Sequence, residues 1–338
     1  MRSRWRWLLI GTTIVIIGAA SVFSGSGSEE SGTAYKEYNS VFGKQKGQKA
    51  HTIPRDGYKL NAREYHPVGK QPVGAPYILM HGFTDSVHLY DRLAPLLAKK
   101  SRVITFDSLG WGNSDKPSDH RYDVASMRRD LEAVITYFGI KNAKLLVHDS
   151  SGLPGIDYAI DNPKKTSELI LLNTLYGPSK VRKVPAGIQT FSTPGLRRDL
   201  LVFGATMIDF RWQQRFSAQV GEFFYNRQAR EKFLPIFLHQ SLQIRPAFFG
   251  LNRVWKKEIQ DRGARLEPLR NLSVPVKIIF GTQDPYLNPA LAREFKKLIP
   301  NSALHLVREA GHYVQLDRPE EVARLMLDSP APLNSKAH

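Results

Sequence analysis

Short, mostly apolar runs separated by segments of helical pattern recur along the chain, at 77–80, 102–106, 143–147, 169–172, 276–280 and 304–307. Continuous apolarity marks strands covered on both faces, because a strand with one wet face would alternate. Strands of that kind need helices on either side, and helical patterns lie at 86–98, 123–138, 151–161, 288–298 and 319–327. This alternation predicts an α/β fold with a mostly parallel sheet. Ahead of it, stretches at 51–54 and 58–65 flank Asp56-Gly57, a two-residue hairpin signal that opens the sheet antiparallel.

Between 176 and 267 the alternation stops, and aromatic, basic, largely helical sequence takes its place. That block reads as a helical lid inserted between two strands. The expected organisation is a signal peptide or membrane anchor with a Ser/Gly linker at 1–32, a first core segment at 33–175, the lid at 176–267, a second core segment at 268–328 and a flexible tail at 329–338.

The N-terminus suggests an address. Arg2, Arg4 and Arg6 precede a nearly all-apolar run at 8–23, the layout of a signal peptide or signal anchor. Trp5 and Trp7 resemble an interfacial belt, and arginines before the run would keep the N-terminus inside. The expectation is a transmembrane helix holding the enzyme at the membrane, facing outside the cytoplasm, or secretion after cleavage near Ala19-Ala20-Ser21. The formal charge of +17 favours a membrane or another anionic surface as partner. Nucleic acid is not expected, since no binding motif accompanies the charge. With no cysteine in the chain, disulfides, thiolate metal sites and a cysteine nucleophile are excluded.

Five segments in fixed order carry the chemistry: His81-Gly82-Phe83-Thr84 after a strand, Asp107 to Ser114 as a DxxGxGxS turn, His148-Asp149-Ser150-Ser151-Gly152 after another strand, Gly281-Thr282-Gln283-Asp284, and Gly311-His312-Tyr313. Together they resemble the α/β-hydrolase fold family over roughly residues 50–328. The resemblance implies an eight-stranded, mostly parallel sheet with helices on both faces and an inserted helical lid. It also implies an oxyanion loop at 81–84, a nucleophile elbow within 145–152, an acid at Asp284 and a base at His312.

Which residue tips the elbow decides the reaction. GxSxG is not met cleanly by Ser150, because bulky His148 stands two places before it. With Asp149 at the tip, the segment is similar to the elbow of epoxide hydrolases and haloalkane dehalogenases, and the small-residue stripe Gly152, Gly155, Ala159 falls in that register. An Asp149–His312–Asp284 triad would hydrolyse a small apolar substrate through a covalent ester, with Phe83 and Ser150 N–H groups as the oxyanion hole. The alternatives are a serine esterase or lipase using Ser150, a haloalkane dehalogenase, and a non-catalytic binding member of the fold. Dehalogenation is disfavoured by Phe83 and Ser150, where such enzymes usually carry Asn and Trp. An epoxide hydrolase needs a lid tyrosine to protonate the opening ring, and the candidates are Tyr225 and Tyr176.

No cofactor is expected, because Gly110-Trp111-Gly112 lacks the spaced third glycine of a nucleotide loop. No metal is expected either, since no ligand spacing joins the histidines; His88, His120 and His239 read as surface or lid residues. Asp85 and Asp107 read as turn residues, with a place facing the pocket as the alternative for Asp85, and His148 reads as a structural neighbour of the elbow. A monomer is expected.

Overall fold

The structure is a computed structural model, and it describes residues 31–40 and 47–328. After a helix at 31–40 (α1), strands β1 (Gln48–Arg55) and β2 (Tyr58–Tyr65) form the hairpin. Asp56 and Gly57 turn it with positive φ of 48° and 85°, the geometry a two-residue turn requires. Six strands follow: β3 (Tyr77–Met80), β4 (Val103–Phe106), β5 (Ala143–Asp149), β6 (Thr166–Thr174), β7 (Val276–Gly281) and β8 (Ala303–Val307).

The eight strands make one sheet in the order β1-β2-β4-β3-β5-β6-β7-β8. β2 alone runs antiparallel, to both of its neighbours β1 and β4, and β4, β3, β5, β6, β7 and β8 pair in parallel. All residues of β3, β4 and β7 are buried, including Lys277 of β7, whose ammonium lies 3.0 Å from Glu168.

Helices α2 (Ala94–Leu97), α3 (Val124–Tyr137) and α4 (Gly152–Asp161) connect the first strands. Asp123 starts α3 by accepting the Ser126 N–H at 2.8 Å. The pattern at 86–98 resolves into a 3-10 turn over Val87–Tyr90 and the short α2, because Pro95 in the first turn of α2 cannot extend a hydrogen-bond ladder backwards. Between β6 and β7 lie α5 (Ala186–Phe191), α6 (Leu196–Met207), α7 (Asp209–Gly221), α8 (Arg227–Ser241), α9 (Arg245–Asp261) and α10 (Leu266–Arg270). Then α11 (Pro289–Leu298), α12 (Val314–Asp317) and α13 (Pro319–Leu327) complete the core.

The membrane expectation is corrected. Among the described residues no helix is long and apolar enough to cross a membrane, and the run at 8–23 lies outside the described residues. That run also falls short of the roughly 20 apolar residues a spanning helix needs. The signal anchor, the transmembrane helix and the membrane-held or secreted placement built on them are therefore withdrawn.

Candidate active site

The elbow sits where β5 ends and α4 begins. Asp149 takes a positive φ of 48°, a conformation costly for a residue with a Cβ, and the close packing around it holds it there. Glycines make that packing possible. A Cβ on Gly82 would lie 2.5 Å from Asp149 Cβ, one on Gly155 would lie 2.2 Å from Val147 Cγ1, and one on Gly152 would meet Thr174 Oγ1 at 2.1 Å. α4 thus lies close against the sheet by means of its small residues, and Thr174 Oγ1 donates to the Asp149 carbonyl at 2.6 Å.

The Asp149 carboxylate accepts the Phe83 N–H at 2.9 Å and is also hydrogen-bonded by the Ser150 N–H. Burial raises its pKa, while the His312 charge and these two bonds pull the other way. Ser150 differs sharply. It is fully buried, its Oγ has no hydrogen-bond partner among the described residues, and it does not line the cavity in front of the elbow.

His312 Nδ1 lies 2.8 Å from Asp284 Oδ2. Asp284 also accepts the Tyr286 and Leu287 N–H groups and the Asn173 side-chain amide, at 2.8, 3.0 and 2.8 Å. Burial pushes the Asp284 carboxyl up, but the His312 charge and these donors hold it below its ordinary value. For His312 burial is again the largest single influence and pulls the imidazole down. Asp284, by charge and hydrogen bond, then Asp149 and Asp85 outweigh it and raise the pKa to about 9. Asn173, at the end of β6 with φ 36°, also accepts the Gly281 N–H at 2.9 Å and so ties the acid's strand to β6. Sequence reasoning missed Asn173; its only signal was an amide among the apolar residues that close β6.

Other polar residues are deeper than expected. His88 is not at the surface: it is buried, with Nδ1 2.7 Å from Asp91 Oδ2. Asp107 is buried and accepts the N–H groups of Val87 and Asn113 and the Asn61 amide. His81 receives the Ser108 N–H on Nε2 at 3.0 Å, tying the loop that carries Phe83 to the DxxGxGxS turn. Behind His312, buried Asp85 accepts the Tyr313 hydroxyl at 2.5 Å and lies 3.7 Å from His148 Nδ1; burial pushes its carboxyl up to about 8. The tyrosines proposed as lid acids are elsewhere. Tyr225 is 51% exposed, Tyr176 is buried with its hydroxyl on Asp157, and neither lines the cavity.

The cavity has a volume of about 980 Å³. Asp149, His312, Phe83 and Thr84 form its floor, and the helices between β6 and β7 supply much of its wall, including Trp212, Phe248 and Trp255. Among the described residues no cluster of His, Cys, Asp and Glu could hold a metal ion.

Comparison with known proteins agrees with this architecture. The family model for the alpha/beta hydrolase fold matches residues 76–319. A cis-3-alkyl-4-alkyloxetan-2-one decarboxylase from Shewanella oneidensis is 27% identical over 297 residues, covering 81% of this chain and 86% of that protein. A haloalkane dehalogenase from Mycolicibacterium paratuberculosis is 27% identical over 276 residues, 78% of this chain and 86% of its own length. The crystal structure of the Cif epoxide hydrolase from Acinetobacter nosocomialis shares the fold with a TM-score of 0.69 at 17% identity, covering 88% of this chain and 94% of that one. The chain belongs to the alpha/beta hydrolase fold family and is a hydrolase.

Proposed function

We propose that the chain hydrolyses an apolar, strained electrophile through an ester formed on Asp149. The observation that carries this reading is the contrast at the elbow: Asp149 faces the cavity beside His312, and Ser150 Oγ is buried behind it. An ionised Asp149 attacks a saturated carbon and needs no base for that step. The ester carbonyl that results lies by the Phe83 and Ser150 N–H groups, which would stabilise the oxyanion when water attacks. His312 takes the proton of that water, oriented by Asp284, and later returns it to the departing alkoxide.

The relatives named above fit an electrophile of this kind. The 3-alkyl-4-alkyloxetan-2-one in the name of the Shewanella protein is a four-membered lactone bearing alkyl groups; an epoxide is a strained three-membered cyclic ether that likewise offers a saturated ring carbon bonded to oxygen. Phe83 and Ser150 supply no side-chain N–H to a leaving halide, so dehalogenation is the weaker reading. The test is a single turnover of styrene oxide or an alkyl oxetan-2-one in heavy-oxygen water, followed by peptide mass spectrometry. Label in the peptide containing Asp149 supports the ester route, because water attacks the aspartyl carbonyl; turnover of either probe with no label in that peptide overturns it.

A further inference from the structure

Arg182 stands in the wall of the cavity and is not used by the triad. Five basic residues line the cavity, Arg182, Lys183, Arg197, Arg211 and Arg215, and none forms an ion pair with another described residue. Four of them are exposed, where water solvates them at little cost; Arg182 alone is half-buried. Its Nε has no hydrogen-bond partner among the described residues and no exposure to water. Keeping a guanidinium N–H from water without a partner is unfavourable, and burial draws the group's proton affinity down against the opposing pull of the Asp149 charge.

The loop that presents Arg182 is held on both sides. Ser179 Oγ donates to Glu294 at 2.6 Å, the Asn288 amide donates to the Val181 carbonyl at 2.8 Å, and the Lys183 N–H donates to the Tyr286 carbonyl at 3.1 Å. Two of these partners, Tyr286 and Asn288, belong to the segment that carries Asp284. The backbone at Arg182 is therefore placed in register with the triad. A guanidinium fork carried on that backbone, half-buried in the cavity wall, is a receptor for a planar anion.

We propose that Arg182 is an anion-binding subsite for a carboxylate of the reacting molecule, next to the carbon that Asp149 attacks. The inference rests on Asp149 as the reacting group. A guanidinium releases no proton at working pH, and Tyr176 and Tyr225 do not line the cavity, so Arg182 stabilises an anion rather than protonating an alkoxide. The carboxylate has two sources. The substrate carries it in, or ring opening frees it: when an Asp149 oxygen bonds to the ring carbon of a lactone, the ring C–O bond breaks and its electron pair stays on the carboxylate. Water then cleaves the aspartyl ester, and the hydroxy acid leaves with the proton that His312 took from water.

Trp212 and Trp255 line the same cavity, so their fluorescence reports occupancy without turnover. The full chain is titrated with decanoate, methyl decanoate and 3-hydroxydecanoate at 0.15 M salt. At least a ten-fold tighter fit for decanoate than for its methyl ester is expected, and Arg182→Gln should erase that preference while Arg197→Gln keeps it. Tighter binding of the 3-hydroxy acid than of decanoate assigns the anion to ring opening; equal binding assigns it to the substrate as it arrives. No preference in the wild type, a preference that survives Arg182→Gln, or equal loss in Arg197→Gln overturns the subsite. Asp149→Asn should bind decanoate at least as tightly, since one repelling charge is gone. Failure of the heavy-oxygen experiment with this preference intact would count against Asp149 chemistry and not against the anion site.

Discussion

The Phe83 backbone N–H points at Asp149 Oδ2 from 2.9 Å, and the Ser150 N–H meets the same carboxylate. Two donors converge on an aspartate that is held at positive φ at the end of a buried strand. In the esterified Asp149 proposed above, the same pair would hydrogen-bond the ester carbonyl and would serve as an oxyanion site without rearrangement.

From that convergence, Asp149→Asn should lower turnover of styrene oxide or an oxetan-2-one by about 10⁴-fold or more, the scale of removing a nucleophile. Ser150→Ala should stay within about ten-fold of the wild type, because its hydroxyl makes no hydrogen bond among the described residues. Initial rates on purified, folded variants check both. An active Asp149→Asn beside a dead Ser150→Ala reverses the assignment in favour of a serine ester.

His312→Gln should block only the second half of the reaction. An anionic nucleophile attacks without a base, so the alkylated enzyme accumulates after mixing with substrate. Intact-protein mass spectrometry should show an adduct equal to the substrate mass. Loss of activity without an adduct points to a nucleophile that needs the base from the start.

The pKa of about 9 for His312 has a sign that can be tested. Because it is raised above the ordinary value of 6.5, the imidazolium contributes stability that is fully present below 6.5 and lost as pH rises through 9. Wild-type thermal stability should therefore decline across that window more than that of His312→Gln. Asp149 is one of the charges that raises the value, so imidazole NMR of Asp149→Asn should show a lower midpoint than the wild type. An unchanged midpoint would mean that the two charges do not couple. The same coupling predicts that esterified Asp149 leaves His312 a free base at lower pH, when water must be activated.

Gly155→Ala should destabilise the fold by about 1–3 kcal/mol, the usual scale of overpacking. The added methyl would lie 2.2 Å from Val147 Cγ1, and Val147 is fully buried two residues before Asp149. Helix propensity opposes this by about 1 kcal/mol, so a melting temperature equal to or above the wild type would show that α4 can move off the sheet. Turnover should fall as well, since shifting β5 displaces the elbow.

Much was legible from local pattern. Mostly apolar runs located the parallel strands, though β8 at the sheet edge is only partly buried; Asp56-Gly57 located the hairpin, and five motifs in order named the segments that bring Asp149, Asp284 and His312 together. These features depend on residues near one another in sequence, where backbone preference and burial act directly. The apolar run at 8–23 shows the limit of the same reasoning, because composition suggested a span that length did not support.

Long-range packing decided the rest. Ser150 and Asp149 are adjacent in the chain, and only the turn of β5 into α4 sends one side chain to the cavity and the other behind it. His88 is buried because Arg63 and Asp91 form a polar cluster with it, and Asn173 matters because it bridges β6 to the acid on the neighbouring segment. Arg182 was one basic residue among many in a lid of basic sequence. The sequence by itself determined the fold class and the order of the chemical groups, since both follow from local periodicity and turn chemistry. Which groups face one cavity, and with what charge state, was decided by the tertiary structure alone, because burial and Coulomb interaction depend on distances that no spacing along the chain specifies.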